Sequence, residues 1–127
     1  MLLAANRCLL LKCSVMFFPE GTRSPDGRVW KFNEGAFHLA IKAGVPVLPV
    51  AIEGTRDCLP KRSWRFGPPQ EILVRVLPPV ETGGLTSDGV SELRDRVRKT
   101  IVDQIASWRN LDSVSVDALA DGGTPVP

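Results

Sequence analysis

One short segment, FFPEGTRS, holds residues with the chemistry of an anion-binding site. Arg23 carries a planar guanidinium that donates paired hydrogen bonds to a phosphate, and Gly21 has no Cβ to block close approach of the backbone. Thr22 and Ser24 add hydroxyls, while Glu20 is able to hold Arg23 or to orient a neighbouring catalytic group. An ordinary turn with a surface arginine has the same composition, so the residues alone leave both interpretations open.

The chain contains a single histidine, His38. It falls between Glu34 and Lys42 on the polar stripe of a helical pattern, which is typical of a solvated side chain. We therefore predict a structural role for His38 and not that of a catalytic base.

Two basic segments invite a functional interpretation. Lys61–Phe66 reads KRSWRF and interleaves cations with aromatic rings, as in a loop at a membrane interface or facing a phosphate, but the pattern favours an ordinary basic loop. The cations Arg94, Arg96, Arg98 and Lys99 alternate with acidic residues. This second pattern predicts a solvated helix face.

Composition excludes several classes of protein. The chain has 127 residues, a length that suits one domain. Its formal net charge is +2, with acidic and basic residues interleaved, which disfavours nucleic-acid binding. Cys8, Cys13 and Cys58 lack C-x-x-C spacing, so we predict neither a disulfide framework nor a metal site. This use of cysteine is typical of a protein in a reducing compartment. The apolar N-terminal stretch is too short to span a bilayer and lacks the features of a signal peptide, so we expect a helix that packs on the core.

The elements that position the candidate site follow from hydrophobic patterning. Three apolar runs predict strands, at Ser14–Phe18, Val45–Ile52 and Glu71–Leu77. Glu34–Ala43 has helical spacing and ends at Gly44, a typical C-cap. The order strand, helix, strand predicts a βαβ unit and an α/β fold with a mixed, mostly parallel sheet and flanking helices. The anion-binding segment then follows the carboxyl end of the first strand, where such folds bind ligands.

The C-terminal part of the chain predicts one long helix followed by a tail. A helix of about 22 residues begins after Thr86 or Ser87 and turns an apolar line, from Val90 to Trp108, towards the sheet. Residues 111–127 have no sustained period and are predicted to be weakly ordered. Three strands are few for a sheet that must bury at least one nearly continuous apolar strand. We therefore also expect exposed apolar surface and an open sheet edge.

The segment FFPEGTRS, together with GAFHLAIKAGVPVLPVAIEGT, resembles the glycerolipid acyltransferases, the lysophosphatidic acid acyltransferase group that adds a second acyl chain to 1-acylglycerol 3-phosphate. In that family the E-G-T-R segment is associated with the acceptor's phosphate. The resemblance implies this role for Glu20, Gly21, Thr22 and Arg23. It further implies accessory roles for Ser24 and for Lys31, and a part in shaping the substrate site for Val45–Val50.

The sequence also departs from the family pattern. Family members use an N-terminal histidine, with an aspartate five positions on, as general base on the acceptor hydroxyl. Here Ala43 stands five positions after His38, and thirteen residues precede Ser14. The resemblance therefore implies the C-terminal part of an acyltransferase domain, at residues 1–110, without its catalytic block.

The function implied by the resemblance is acyl transfer from acyl-CoA or acyl carrier protein to the free hydroxyl of a lysophospholipid, with no cofactor besides that co-substrate. The implied partners are a membrane surface, on its cytoplasmic face, and the missing N-terminal half of the domain. Without the histidine–aspartate pair we expect this chain alone to be inactive. The alternative is a non-catalytic lipid-phosphate-binding or regulatory fragment.

Overall fold

The computed structural model describes residues 2–58 and 65–120, and it contains five helices, two strands and one 3-10 turn within those ranges. In chain order the elements are α1 (Leu2–Leu10), α2 (Gly35–Ala43), β1 (Val50–Glu53), α3 (Thr55–Cys58), β2 (Leu73–Val76), the 3-10 turn Ser87–Gly89, α4 (Val90–Arg109) and α5 (Ser113–Val116). The architecture is thus a mixture of helices with a small sheet. No helix in the described ranges is both long and apolar enough to cross a bilayer.

The sheet has two antiparallel strands, which differs from the predicted, mostly parallel sheet. β1 pairs with β2 in the register Val50↔Val76 to Glu53↔Leu73. The predicted strand Val45–Ile52 shortens at its start because Pro46 and Pro49 have no N–H to donate to a ladder. Its first half makes one isolated antiparallel bridge, Val47↔Val80.

The predicted strand Ser14–Phe18 is not formed. Residues 13–18 belong to no strand, and no strand in the described part of the chain lies beside them. Met16 and Phe18 are 71% and 74% exposed. An apolar, β-prone run becomes a strand only with a neighbouring ladder, so the predicted βαβ unit is absent and the candidate segment follows an unpaired stretch.

The core lies between α4 and the elements on either side of it. The buried face of α4 consists of Val90, Leu93, Val97, Val102, Ile105 and Ala106. It packs in one cluster with Ala51 of β1, which is 0% exposed, and with Phe37 of α2, whose ring stacks on Phe32 at a centroid distance of 6.5 Å. The predicted positions of α2 and α4 are confirmed to within a few residues.

Helices α2 and α4 are each followed by a C-cap residue in the left-handed backbone conformation. Gly44 has a φ of 63°, and its N–H reaches the carbonyls of Ala40 and Ile41, as the capping pattern predicts. Asn110 ends α4 in the same way, with a φ of 54°.

Beyond Asn110, where the sequence pattern predicts a weakly ordered tail, residues 111–120 include a short helix and buried side chains. Ser113–Val116 form a helix capped by the Asp112 carboxylate, and Val116 and Ala118 are 0% exposed. The Val29 N–H donates to the Val116 carbonyl and the Ala118 N–H to the Val29 carbonyl. A single helical turn is too short to show a period, so the pattern gave no signal for this packing. Residues 121–127 lie outside the described residues.

The predicted solvated face of α4 is wrong at Arg98. This residue is 6% exposed, and its guanidinium donates to both carboxylate oxygens of Asp117 and to the carbonyls of Val29 and Trp30. Arg96 and Lys99 are exposed, as predicted. Arg98 precedes the buried Val102 by four residues, so it lies on the buried stripe, where a cation is stable only with polar partners.

The prediction of exposed apolar surface is confirmed. Val74, Val76 and Ile52 share one face of the sheet, and they are 60%, 60% and 37% exposed. On the opposite face Ala51 is 0% exposed, and two polar contacts reach α4, from Arg75 to Gln104 and from Glu53 to Arg109. Of the predicted loop KRSWRF, residues 61–64 lie outside the described residues, and Phe66 is 82% exposed.

The packing of the C-terminal segment predicts a matched pair of substitutions in α5. Val116→Ala removes buried methyl groups and lowers the free energy of unfolding by about 1.5–3 kcal/mol. Val114→Ala, two residues away and 63% exposed, changes it by less than about 0.5 kcal/mol. Urea unfolding followed by circular dichroism measures both values. Equal, small effects would contradict the packing of α5.

The Arg98–Asp117 pair predicts a loss of stability in acid. Hydrogen bonds from Arg98 hold the pKa of Asp117 below its ordinary value of 3.8. The ionised carboxylate therefore stabilises the fold above about pH 4, and this stabilisation is lost as the pH falls through the lowered pKa. Asp117→Asn unfolds more easily at pH 7 and shows a shallower decline below pH 4. Urea midpoints at several pH values test this, and an unchanged slope would contradict it.

Candidate anion-binding site

The candidate residues lie in an irregular loop, residues 19–33, whose two ends are joined by hydrogen bonds. The Pro19 carbonyl accepts from the Asn33 backbone N–H at 2.8 Å and from Asn33 Nδ2 at 3.0 Å. The loop therefore leaves and returns at one place, directly before α2. Its first turn is closed by the Gly21 N–H, which donates to the Phe18 carbonyl at 3.0 Å.

Gly21 is required by the geometry of this turn. Its φ is +73°, and a Cβ added there lies 3.0 Å from Asn33 Nδ2. Any other residue meets both the left-handed strain and the side chain that closes the loop. The glycine of the predicted motif thus serves the path of the backbone.

Glu20 points into the loop. It is half-buried, and its Oε2 accepts from the Trp30 backbone N–H at 3.3 Å. Burial raises the pKa of the Glu20 carboxyl above its ordinary value, against the hydrogen bond from Trp30 and the charge of Arg98, which lower it. Its contacts give Glu20 the role of holding the two limbs of the loop together.

A second turn of the loop is organised around the Asp26 carboxylate. Asp26 Oδ1 accepts from the Ser24 hydroxyl, the Arg28 N–H and the Trp30 indole, each at 3.0 Å, and its Oδ2 accepts from Arg28 Nε at 2.9 Å. Burial alone would raise the pKa of Asp26, but these hydrogen bonds outweigh it and hold the pKa far below 3.8. Asp26 is therefore an anion at any physiological pH.

Arg56, at the start of α3, ties this second turn to the body of the protein. Its Nη1 donates to the Asp26 carbonyl at 2.9 Å and its Nη2 to the Pro25 carbonyl at 3.3 Å. Ser24 Oγ also accepts from the Gly27 N–H at 2.8 Å, so its hydroxyl is used within the loop. The loop has no regular secondary structure, yet its polar groups are engaged on both limbs.

Thr22 and Arg23 stand at the outer side of this loop, and both are exposed. Their sequence neighbours Glu20 and Ser24 are turned inward by the contacts above. Lys31 is also exposed and lies close enough to Asp95 of α4 for its charge to lower the pKa of that carboxyl, after the larger effect of Arg94. The six predicted residues thus divide into an inner group that shapes the loop and an outer group that presents donors and charge.

Four residues that shape the site were not predicted from the sequence: Asp26, Trp30, Arg56 and Arg98. Asp26, in the order Ser-Pro-Asp-Gly, carries a local turn signal that was available in the sequence. Arg98 lies on the buried stripe of α4, and its spacing of four residues from the apolar Val102 could have indicated this. Arg56 has no local signal, because its partners lie about 30 residues earlier in the chain, and the Trp30 backbone N–H meets Glu20 ten residues before it.

His38 is exposed, as predicted, with 54% of its side chain accessible. Its Nε2 lies 4.0 Å from Glu34 Oε2, and the other carboxylate oxygen of Glu34 accepts from Arg94 and from the Ser91 hydroxyl. Within residues 2–58 and 65–120, no group of three or more His, Cys, Asp or Glu residues is arranged to hold a metal ion.

Similarity to known proteins agrees with this architecture. A family model described as Acyltransferase matches residues 2–53. The 1-acyl-sn-glycerol-3-phosphate acyltransferase alpha of Mus musculus is 47% identical over 98 residues, which are 77% of this chain and 34% of that protein. The Homo sapiens protein of the same name is 48% identical with the same coverage.

A solved structure is also similar. The crystal structure of PlsC, the 1-acyl-sn-glycerophosphate (LPA) acyltransferase from Thermotoga maritima, matches with a TM-score of 0.76 and 37% identity, over 85% of this chain and 44% of that one. The chain spans about a third of the length of the two curated mammalian relatives. With the motif, the fold and these relatives in agreement, the chain belongs to the glycerolipid acyltransferase family.

Proposed function

We propose that this protein takes part in acyl transfer from acyl-CoA or acyl carrier protein to the free hydroxyl of 1-acylglycerol 3-phosphate or a related lysophospholipid, and that the turn at Thr22 and Arg23 binds the acceptor's phosphate. One observation carries the proposal. Arg23 is exposed at the outer side of a loop whose inner residues are all occupied in holding its shape.

A loop of this kind suits an anion. Because hydrogen bonds already define the loop, binding does not have to order it, and less free energy is lost on association. The Arg23 guanidinium offers charge-assisted hydrogen bonds to phosphate oxygens, and the Thr22 hydroxyl adds a donor. Lys31 contributes a further positive charge on the same loop, in an accessory role.

The surroundings of the turn suit a lipid acceptor. Met16 and Phe18, immediately before the loop, are more than 70% exposed. An apolar surface beside a cationic turn matches a molecule with an acyl chain and a phosphate, and it also suits a membrane surface. We propose peripheral contact with the cytoplasmic face of a membrane on this basis.

The general base is the part of the reaction that these residues do not supply. The His38 ring lies 4.0 Å from the carboxylate of Glu34, which also accepts hydrogen bonds from Arg94 and Ser91. We therefore propose that the base belongs to an N-terminal catalytic block outside residues 1–110, and that acyl-CoA or acyl carrier protein acts as co-substrate without a further cofactor.

Arg23→Ala tests the phosphate-binding role. A charge-assisted hydrogen bond contributes about 1.5–3 kcal/mol, so affinity for a short-chain 1-acylglycerol 3-phosphate falls roughly tenfold or more. Arg96→Ala removes an exposed arginine of α4 and leaves affinity unchanged. Isothermal titration calorimetry measures both, with a phosphate-free monoacylglycerol as reference ligand. Equal affinity of the wild-type and Arg23→Ala chains overturns the role.

An activity assay tests the expectation that the chain alone is inactive. General-base catalysis supplies about 10²–10⁴ in rate, so the chain incubated with acyl-CoA and lysophosphatidic acid forms no product above the uncatalysed background. Binding without turnover also fits the alternative, a non-catalytic lipid-phosphate-binding fragment. Turnover that is lost in His38→Ala contradicts the expectation and identifies His38 as the base.

A further inference from the structure

The Arg98 guanidinium is buried and engages two separate parts of the chain. Its Nε donates to the Trp30 carbonyl at 2.9 Å and its Nη2 to the Val29 carbonyl at 2.5 Å. On its other side, Nη1 and Nη2 donate to the two Asp117 oxygens at 2.9 and 2.5 Å. One planar group thus joins the loop that bears the candidate site to the segment after α5.

The contacts continue from Trp30 to the site itself. The Trp30 backbone N–H donates to Glu20 Oε2, and its indole donates to Asp26. Glu20 directly precedes the turn of Gly21, Thr22 and Arg23. An unbroken series of polar contacts therefore runs from Asp117 through Arg98 and Trp30 to the residue next to that turn.

The C-terminal segment reinforces the same point of the loop. Val29 forms a parallel bridge with Asp117, with backbone hydrogen bonds to Val116 and Ala118. The carbonyls of Val29 and Trp30 are thereby held by groups more than 60 residues away in the chain.

We infer that Arg98 and Asp117 are positioning residues for the anion-binding turn, and that the C-terminal segment thereby sets the affinity of the turn for its ligand. This inference rests on the proposed function of that turn. Neither residue belongs to the turn itself; each acts through the Val29–Trp30 peptide and Glu20.

The chemistry of the pair restricts the residues that can replace it. The planar fork of arginine reaches two carbonyls and both carboxylate oxygens at once, whereas a lysine ammonium has three donors and no fixed plane. If Asp117 becomes Asn, the Arg98 charge stays buried without its counter-charge, a strongly unfavourable state. The guanidinium then moves towards solvent and releases the loop carbonyls.

A purely structural role is separated from a positioning role by a control from the same segment. Asp117→Asn and Val116→Ala both destabilise the fold, but only Asp117→Asn removes a partner of Arg98. At a temperature where both variants are fully folded by circular dichroism, Asp117→Asn weakens binding of a short-chain 1-acylglycerol 3-phosphate roughly three- to tenfold, and Val116→Ala does not. Equal affinities of the two variants overturn the inference.

A double variant shows whether the effect passes through the turn. In an Arg23→Ala background, Asp117→Asn causes little further loss, because the interaction that it positions is already absent. Additive losses overturn the inference. Asp117→Glu retains the carboxylate and recovers part of the affinity. If Asp117→Asn does not fold, Arg98→Lys, which keeps the charge but loses the fork, carries the same comparison with the same expected loss.

The amide resonances of Thr22 and Arg23 distinguish failure of this inference from failure of the proposed function. They shift in Asp117→Asn and not in Val116→Ala, with or without ligand, if the pair positions the turn. Unchanged resonances overturn the inference even if Arg23→Ala abolishes binding. Shifted resonances, together with wild-type affinity in Arg23→Ala, support the positioning and overturn the phosphate-binding role.

Discussion

The buried guanidinium of Arg98 constrains the rest of the structure. Moving a positive charge out of water costs several kcal/mol, and this cost is offset only when the donors of the group are satisfied. Here the carbonyls of Val29 and Trp30 and the carboxylate of Asp117 satisfy them. Two distant segments must therefore meet at one point on α4. The path of the loop before α2 and the packing of the chain after α4 both follow from that requirement.

The candidate site is built by the side chains and turns of the irregular loop at residues 19–33. Asp26 gathers four hydrogen bonds, Glu20 takes the Trp30 N–H, and Asn33 closes the loop on Pro19. Each inward polar group has a partner, so the outward residues are presented on a shaped surface. In the family motif, two of the four residues, Glu20 and Gly21, act on the loop itself, and the other two, Thr22 and Arg23, face outward.

The parts of the fold that were predicted from the sequence depend on near neighbours. The period of α4, the length of α2 and the cap at Gly44 are decided within a turn or two of helix, and the motif at Arg23 is contiguous. The strand Ser14–Phe18, the buried Arg98 and the packing of Val116 depend on partners elsewhere in the chain. Local patterning therefore suggested a strand where no ladder forms, and a solvated cation where Asp117, 19 residues away, provides a counter-charge.

The bridge between Val29 and the segment after α5 affects the order in which parts of the protein fold during synthesis. A ribosome releases the loop long before it releases Arg98 and Asp117, so the nascent loop lacks the groups that hold it. Contacts of such large sequence separation also form late, because closing a long stretch of chain costs entropy before any contact compensates for it. The turn with Thr22 and Arg23 is therefore synthesised before the groups that hold it, and it acquires its final shape only after Arg98 and Asp117 have left the ribosome.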